Sequence, residues 1–200
     1  GDGDIDVFVT GFSLLILLND GNGNFTDGTN KFPDHLVSIG RLNTSEIYDV
    51  NLDSHPDIIA GCECLTDSAA KIWLGPDYNK VVNVRKNEPF TTIVDILPVD
   101  LDADTNIEII LSLTGSGSRS YQGAMIEVAS FDKSSNTLSY ETLYEEDSSD
   151  TFLWISWLKA MDNDEDGDLD ILADNKSQGL IIEQYESGSF RVITDNKKNW

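Results

Sequence analysis

Asp162, Asp164, Asp166 and Asp170 place four acidic oxygen donors within nine residues, around Gly167 and directly ahead of the apolar run Ile171-Leu172-Ala173. Carboxylates this close repel one another unless a cation neutralises them, and Ca2+ takes about six to eight oxygens of this kind. The run reads as a calcium loop. Its pattern recurs as Asp49-Val50-Asn51-Leu52-Asp53-Ser54-His55-Pro56-Asp57, with Asn at the third position, and as Asp100 to Glu108, with Glu at the ninth. The chain opens inside a further copy, Gly1-Asp2-Gly3-Asp4-Ile5-Asp6, which aligns from the fourth position onward. Solvated acidic turns are the plainer alternative, and they compete best at the third copy, where Thr105 replaces the glycine.

These loops must be held by repeated elements. The ninth-position acids Asp6, Asp57, Glu108 and Asp170 are spaced 51, 51 and 62 residues apart, and a period of about 50 points to a repeat architecture such as a propeller. An EF-hand needs a bidentate Glu at position twelve and flanking helices. Position twelve is Ala60 or Ala173 here, and the flanks are β-branched and apolar, so strands are predicted instead. In the second copy they cover 46–50, 57–62, 70–74 and 80–84; in the third, 91–99, 107–113, 123–131 and 138–144, with an insertion at 115–122. The fourth reads 153–161, 169–173, 179–185 and 190–194. Four antiparallel strands per unit make one propeller blade, so the chain is expected to be all-β, one propeller region over 1–200 with repeats at about 1–45, 46–90, 91–150 and 151–200. Around the fourth loop's first strand, Phe152, Trp154 and Leu158 alternate with Leu153, Ile155 and Trp157, which predicts burial on both faces and tryptophans in the core. Tyr78, Tyr121 and Trp200 are the candidates for exposed contact.

The pattern D-x-D-x-D-G-x-x-D followed by apolar residues resembles the FG-GAP/VCBS repeat, the unit of integrin-α-like β-propellers. The first copy is the nearest match, through Gly1 to Val9 and then Leu14-Leu15-Ile16-Leu17-Leu18-Asn19-Asp20-Gly21-Asn22-Gly23-Asn24-Phe25. In the second copy Ile72-Trp73-Leu74-Gly75-Pro76 stands where the Leu-Leu-Asn-Asp element should be, and the glycine-rich turn is degraded there. The resemblance spans the chain, is sharpest in the first and fourth copies and weakens in the third. It implies a calcium-stabilised propeller of four-stranded blades. About four repeats are present where such propellers have about seven, so the chain looks like part of a larger one.

By the same resemblance, side chains at positions one, three, five and nine bind the ion and the carbonyl at seven adds an oxygen. The fourth copy then uses Asp162, Asp164, Asp166 and Asp170 with the carbonyl of Asp168. The second uses Asp49, Asn51, Asp53 and Asp57 with the carbonyl of His55, and one charge fewer implies weaker binding. The third uses Asp100, Asp102, Asp104 and Glu108 with the carbonyl of Asn106. Its β-branched Thr105 resists positive φ, which predicts a distorted or empty loop. The first retains Asp2, Asp6 and the carbonyl of Asp4.

Composition narrows the partners. Thirteen Lys and Arg against 36 Asp and Glu give a net charge of −23, a field that disfavours nucleic acid and anionic membrane. An apolar fraction of 40% with regular strand patterning argues against disorder. No apolar run approaches a membrane span and no signal peptide is visible. The chain lacks an initiator Met and begins inside a loop, as a fragment or processed piece would. Calcium loops of modest affinity fill most reliably outside the cell, and Asn24, Asn43 and Asn175 sit in glycosylation acceptor patterns. Cys62 and Cys64, two apart on one strand face, are poorly placed to bridge and read as buried thiols.

Catalysis finds little support. His35 and His55 are the only histidines, one in a Pro-Asp-His turn and one inside a metal loop. The carboxylates suit glycoside chemistry by type but are accounted for by calcium. The expectation is a non-catalytic, calcium-dependent extracellular propeller that recognises protein or glycan, or assembles with neighbouring subunits. The rivals are a secreted polysaccharide lyase or hydrolase on the same scaffold, and a structural subunit of an extracellular polymer.

Overall fold

The computed structural model describes residues 3–38, 41–61, 67–148, 153–175, 178–186 and 188–195. Strands dominate them. Sheet A holds β1 (Val7–Val9), β2 (Leu15–Asn19) and β3 (Phe25–Asp27); sheet B holds β4 (Thr44–Tyr48), β5 (Asp57–Gly61), β6 (Ala70–Leu74) and β7 (Lys80–Val84). Sheet C holds β8 (Phe90–Val99), β9 (Glu108–Gly115), β10 (Ala124–Asp132) and β11 (Thr137–Glu146); sheet D holds β12 (Ile155–Met161), β13 (Asp170–Asn175), β14 (Gln178–Glu186) and β15 (Ser189–Asp195). Every sheet is an antiparallel meander in sequence order. The strands predicted for the second, third and fourth copies all exist, within a few residues at their ends. Among the described residues helix is confined to one short α-helix (Asp34–Val37) and two 3-10 turns, the second of them (Gly117–Arg119) inside the predicted insertion. No helix among the described residues is long and apolar enough to cross a membrane.

The sheets stack face to face in chain order. Sheets A and B enclose Leu14, Ile16, Ile58, Ala60 and Trp73. Sheets B and C share a larger core that includes Ile59, Ile72, Ile93, Ile109 and Leu111, and sheets C and D enclose Ile110, Val128, Ile155, Ile171 and Ile182. The strand after each loop therefore alternates between its two neighbours. Ile109 and Leu111 face sheet B while Ile110 faces sheet D, and the run Ile109-Ile110-Leu111 is apolar throughout because both faces are buried. The first strands of successive sheets also lie side by side, β8 packing against both β4 and β12.

Between β8 and β12 the contact is polar as well as apolar. Asp95 Oδ2 accepts the N–H of Leu158 at 2.7 Å, and the Ser112 hydroxyl donates to the Ile155 carbonyl at 2.8 Å. This junction corrects the reading of the tryptophans. The register shifts between Ile155 and Leu158, so those two residues, one odd and one even, both enter the core. The irregularity turns Trp157 outward to 38% exposure, and Trp154 lies before the strand, edge-on to Tyr121 at 5.2 Å. Phe152, Cys62, Cys64 and Trp200 lie outside the described residues. Tyr121 is exposed as expected, whereas Tyr78 is half-buried against Phe32.

Candidate metal centre

Each of the three complete acidic runs (49–56, 100–107 and 162–169) becomes the loop between the first and second strands of its sheet, and the three have equal length. Their backbones match. Leu52 and Ser54, Ala103 and Thr105, and Glu165 and Gly167 occupy the fourth and sixth positions, and all six have positive φ, between 57° and 102°. Thr105 corrects the sequence expectation of distortion, because it adopts φ +72° beside Ser54 at +71°. The loop's internal hydrogen bonds outweigh its β-branched preference. Gly3, at the sixth position of the first copy, has φ +95°.

Those hydrogen bonds repeat too. The first-position carboxylate accepts backbone N–H groups from across the turn: Asp49 from Asp53 and Ser54, Asp162 from Asp166 and Gly167, Asp100 from Thr105. The fifth-position carboxylate accepts from the seventh residue, as Asp53 does from His55, Asp104 from Asn106 and Asp166 from Asp168, at 2.7–3.2 Å. The effect is a tight coil whose side-chain oxygens face inward. Asp162, Asp164 and Asp166 bring one oxygen each within 4.8 Å of the others, and Asp100, Asp102 and Glu108 do the same. Asp100 Oδ1 and Asp168 Oδ1 are buried with no hydrogen-bond partner. An oxygen without a donor, held beside other carboxylates, suits a hard cation.

The electrostatics agree. Burial, then the nearby Asp102, Asp104 and Asp100 charges, push Glu108 up to about 7 against the pull of the Leu101 N–H. Burial and Asp104 raise Asp102, and desolvation and Asp166 raise Asp164. Asp104 is held low by the N–H and side chain of Asn106. A bound divalent ion would reverse the upward shifts by supplying the missing charge.

The ninth-position acid has a role that spacing alone did not reveal. Asp57 is fully buried; its Oδ2 accepts the Val50 N–H at 2.9 Å and its Oδ1 the Gly75 N–H at 2.8 Å. Asp170 likewise accepts from Asn163 at 2.9 Å and from Gln184 at 3.0 Å. Glu108 accepts from Leu101, and Asp6 from Asn19. The acid thus clasps the start of its own loop and, in three copies, the far end of the next hairpin. Asp4 also meets the glycine-rich turn closely, since a Cβ on Gly21 would stand 2.8 Å from its Oδ2. Asp2 lies outside the described residues.

The remaining candidates are placed without being gathered. Asn51 donates to Asp53 at 3.1 Å, which engages both side chains of the second loop with each other. His55 Nδ1 lies 3.2 Å from Asp53 Oδ1, and His35 Nε2 lies 2.9 Å from the Tyr78 carbonyl, so both histidines have structural partners. Asn106 donates through Nδ2 to Asp104 at 2.8 Å, and Asp104 does not join the acids that converge in its loop. Compared with models of protein families, with curated proteins and with solved structures, the chain shows no match.

Proposed function

We propose that the chain is a calcium-stabilised β-propeller region of the FG-GAP/VCBS kind, acting outside the cell as a recognition or assembly module for protein or glycan. The observation that carries this reading is the recurrence, between the first two strands of sheets B, C and D, of one loop backbone, with carboxylates that converge in the third and fourth copies. Face-to-face sheets with adjacent first strands support the propeller, because a radial array of blades needs that packing. In this reading Ca2+ is a staple. It neutralises the crowded acids and rigidifies the turns that present side chains to a ligand. Asp162, Asp164, Asp166 and Asp170 with the Asp168 carbonyl form the first site, and Asp100, Asp102 and Glu108 the core of the second.

Calcium titrated calorimetrically into chelator-treated protein tests this directly. Two firm sites are expected. Each, at about a hundredfold above its dissociation constant, adds about 2.7 kcal/mol of stability, or roughly 5–10 °C in melting temperature at this length. No heat together with no stabilisation refutes the metal reading.

A further inference from the structure

A cavity of about 410 Å³ opens where sheets A, B and C meet, at the strand ends opposite the acidic loops. Residues 10–12 follow β1, 41–43 lead into β4, 92–94 lie near the start of β8, and Tyr121 sits in the β9–β10 connection. Each of the three sheets supplies part of the wall, and backbone bonds fix it. The Leu42 N–H donates to the Gly11 carbonyl at 2.9 Å, joining sheets A and B. Tyr121 donates its N–H to the Gly115 carbonyl at 3.1 Å and accepts the Leu153 N–H at 2.9 Å. A wall already held in place spares a ligand the cost of ordering it.

Its chemistry departs from that of the chain as a whole. The sequence carries 36 acids, yet no carboxylate is among the described residues that line the cavity, whereas Arg41 is. The Arg41 guanidinium stands 5.5 Å from the centroid of the Phe12 ring, and Tyr121 is 40% exposed. Thr92 is only 3% exposed, and its hydroxyl is buried with no hydrogen-bond partner. A buried hydroxyl left unpaired costs stability. At a cavity wall, a ligand can supply the missing partner.

We infer that this cavity binds a sugar unit carrying one carboxylate, as a uronic acid does. The apolar C–H face of a pyranose loses water against rings such as Phe12 and Tyr121. Its hydroxyls pair with the Thr92 hydroxyl, and its carboxylate takes two parallel hydrogen bonds from the Arg41 guanidinium. The net charge of −23 opposes this little, because exposed charges beyond about 8 Å are screened at physiological ionic strength. A polyanion would meet that field along its whole length, so the match is one acidic unit on an otherwise neutral glycan. The inference narrows glycan recognition, on which it rests, to one ligand class.

Ligand-detected NMR titration with methyl glucuronoside, against methyl glucoside and sodium acetate, reads it out. Wild-type protein is expected to bind the glucuronoside about ten- to a hundredfold more tightly than either control. Arg41→Gln should reduce glucuronoside binding to the glucoside level while keeping the wild-type circular dichroism spectrum. Thr92→Val should weaken both sugars roughly two- to tenfold with a melting temperature at or above wild type, a split that a purely structural hydroxyl would not give. Arg191→Gln, on sheet D, should leave binding unchanged. The inference is overturned if the glucuronoside does not bind or if its binding survives Arg41→Gln. Acetate binding as tightly as the glucuronoside also overturns it, since a bare carboxylate, as on an acidic peptide, would then suffice. Calcium calorimetry on the same samples separates the two readings. Calcium heat without sugar binding removes this inference alone, and sugar binding without calcium heat removes only the metal.

Discussion

Replacing Asp170 by Asn separates the two jobs given to the ninth-position acid. The side chain is 1% exposed and accepts N–H groups from Asn163 at 2.9 Å and Gln184 at 3.0 Å, one on each oxygen. Asparagine keeps the shape but offers one acceptor. One of the two N–H groups must then face an NH2, and the surviving bond loses its charge. Losing a charge-assisted hydrogen bond costs about 1.5–3 kcal/mol and weakening the other roughly 0.5–1, so about 2–4 kcal/mol in all. At this chain length that lowers the melting temperature by roughly 4–16 °C. The assay is thermal unfolding by circular dichroism, in chelator and again in saturating calcium. Asp170→Asn is expected to melt early in both. Asp164→Asn is the contrast, because this exposed carboxylate is raised by desolvation and Asp166 and belongs to the convergent acids. It should melt at or slightly above the wild-type temperature in chelator and fall behind only with calcium present. A wild-type melting temperature for Asp170→Asn in chelator would refute the clasp and leave the residue as a metal ligand alone.

Other perturbations follow the same logic. Thr105→Gly removes a β-branched residue from φ +72°; relief of left-handed strain less the entropy glycine adds to the unfolded chain should raise stability by about 0.5–2 kcal/mol, and a lower melting temperature in denaturation scans would contradict it. Asp95 is raised by burial, and Glu46 by burial and by the charge of Asp95. Both groups hold their protons more tightly folded than unfolded, so their contribution is fully present below the ordinary carboxylate range and is lost as pH rises through the folded values. Asp95→Asn keeps an oxygen for the Leu158 N–H and removes the like charge. It should raise the melting temperature at neutral pH and flatten the decline between acid and neutral pH; an unchanged pH profile would exclude the pair as its cause.

Much of the fold was legible because two periodicities coincide. Acid spacing marked the loops, and the β-branched apolar runs after them marked strands, so the elements that carry Ile58, Ile109 and Ile171 were legible in the sequence. Local chemistry also sufficed for the fourth loop, where Gly167 stands at a positive-φ position. The third misled, because residue preference at Thr105 is worth only a kilocalorie or so and the shared hydrogen bonds override it.

What the chain alone determined is the set of elements and the convergence of carboxylates inside the third and fourth loops, since those depend on residues a few positions apart. Only the tertiary structure decided which oxygens accept backbone N–H groups, as at Asp57 and Asp170, and which are buried without a donor, as Oδ1 of Asp100 and of Asp168. Gly75 and Gln184 reach their acids across a hairpin, and no local pattern encodes that distance. The outward turn of Trp157 and the cavity shared by sheets A, B and C are of the same kind. They arise from a register shift and from which sheet stacks on which, and geometry of that sort belongs to the assembly of sheets and not to any one strand.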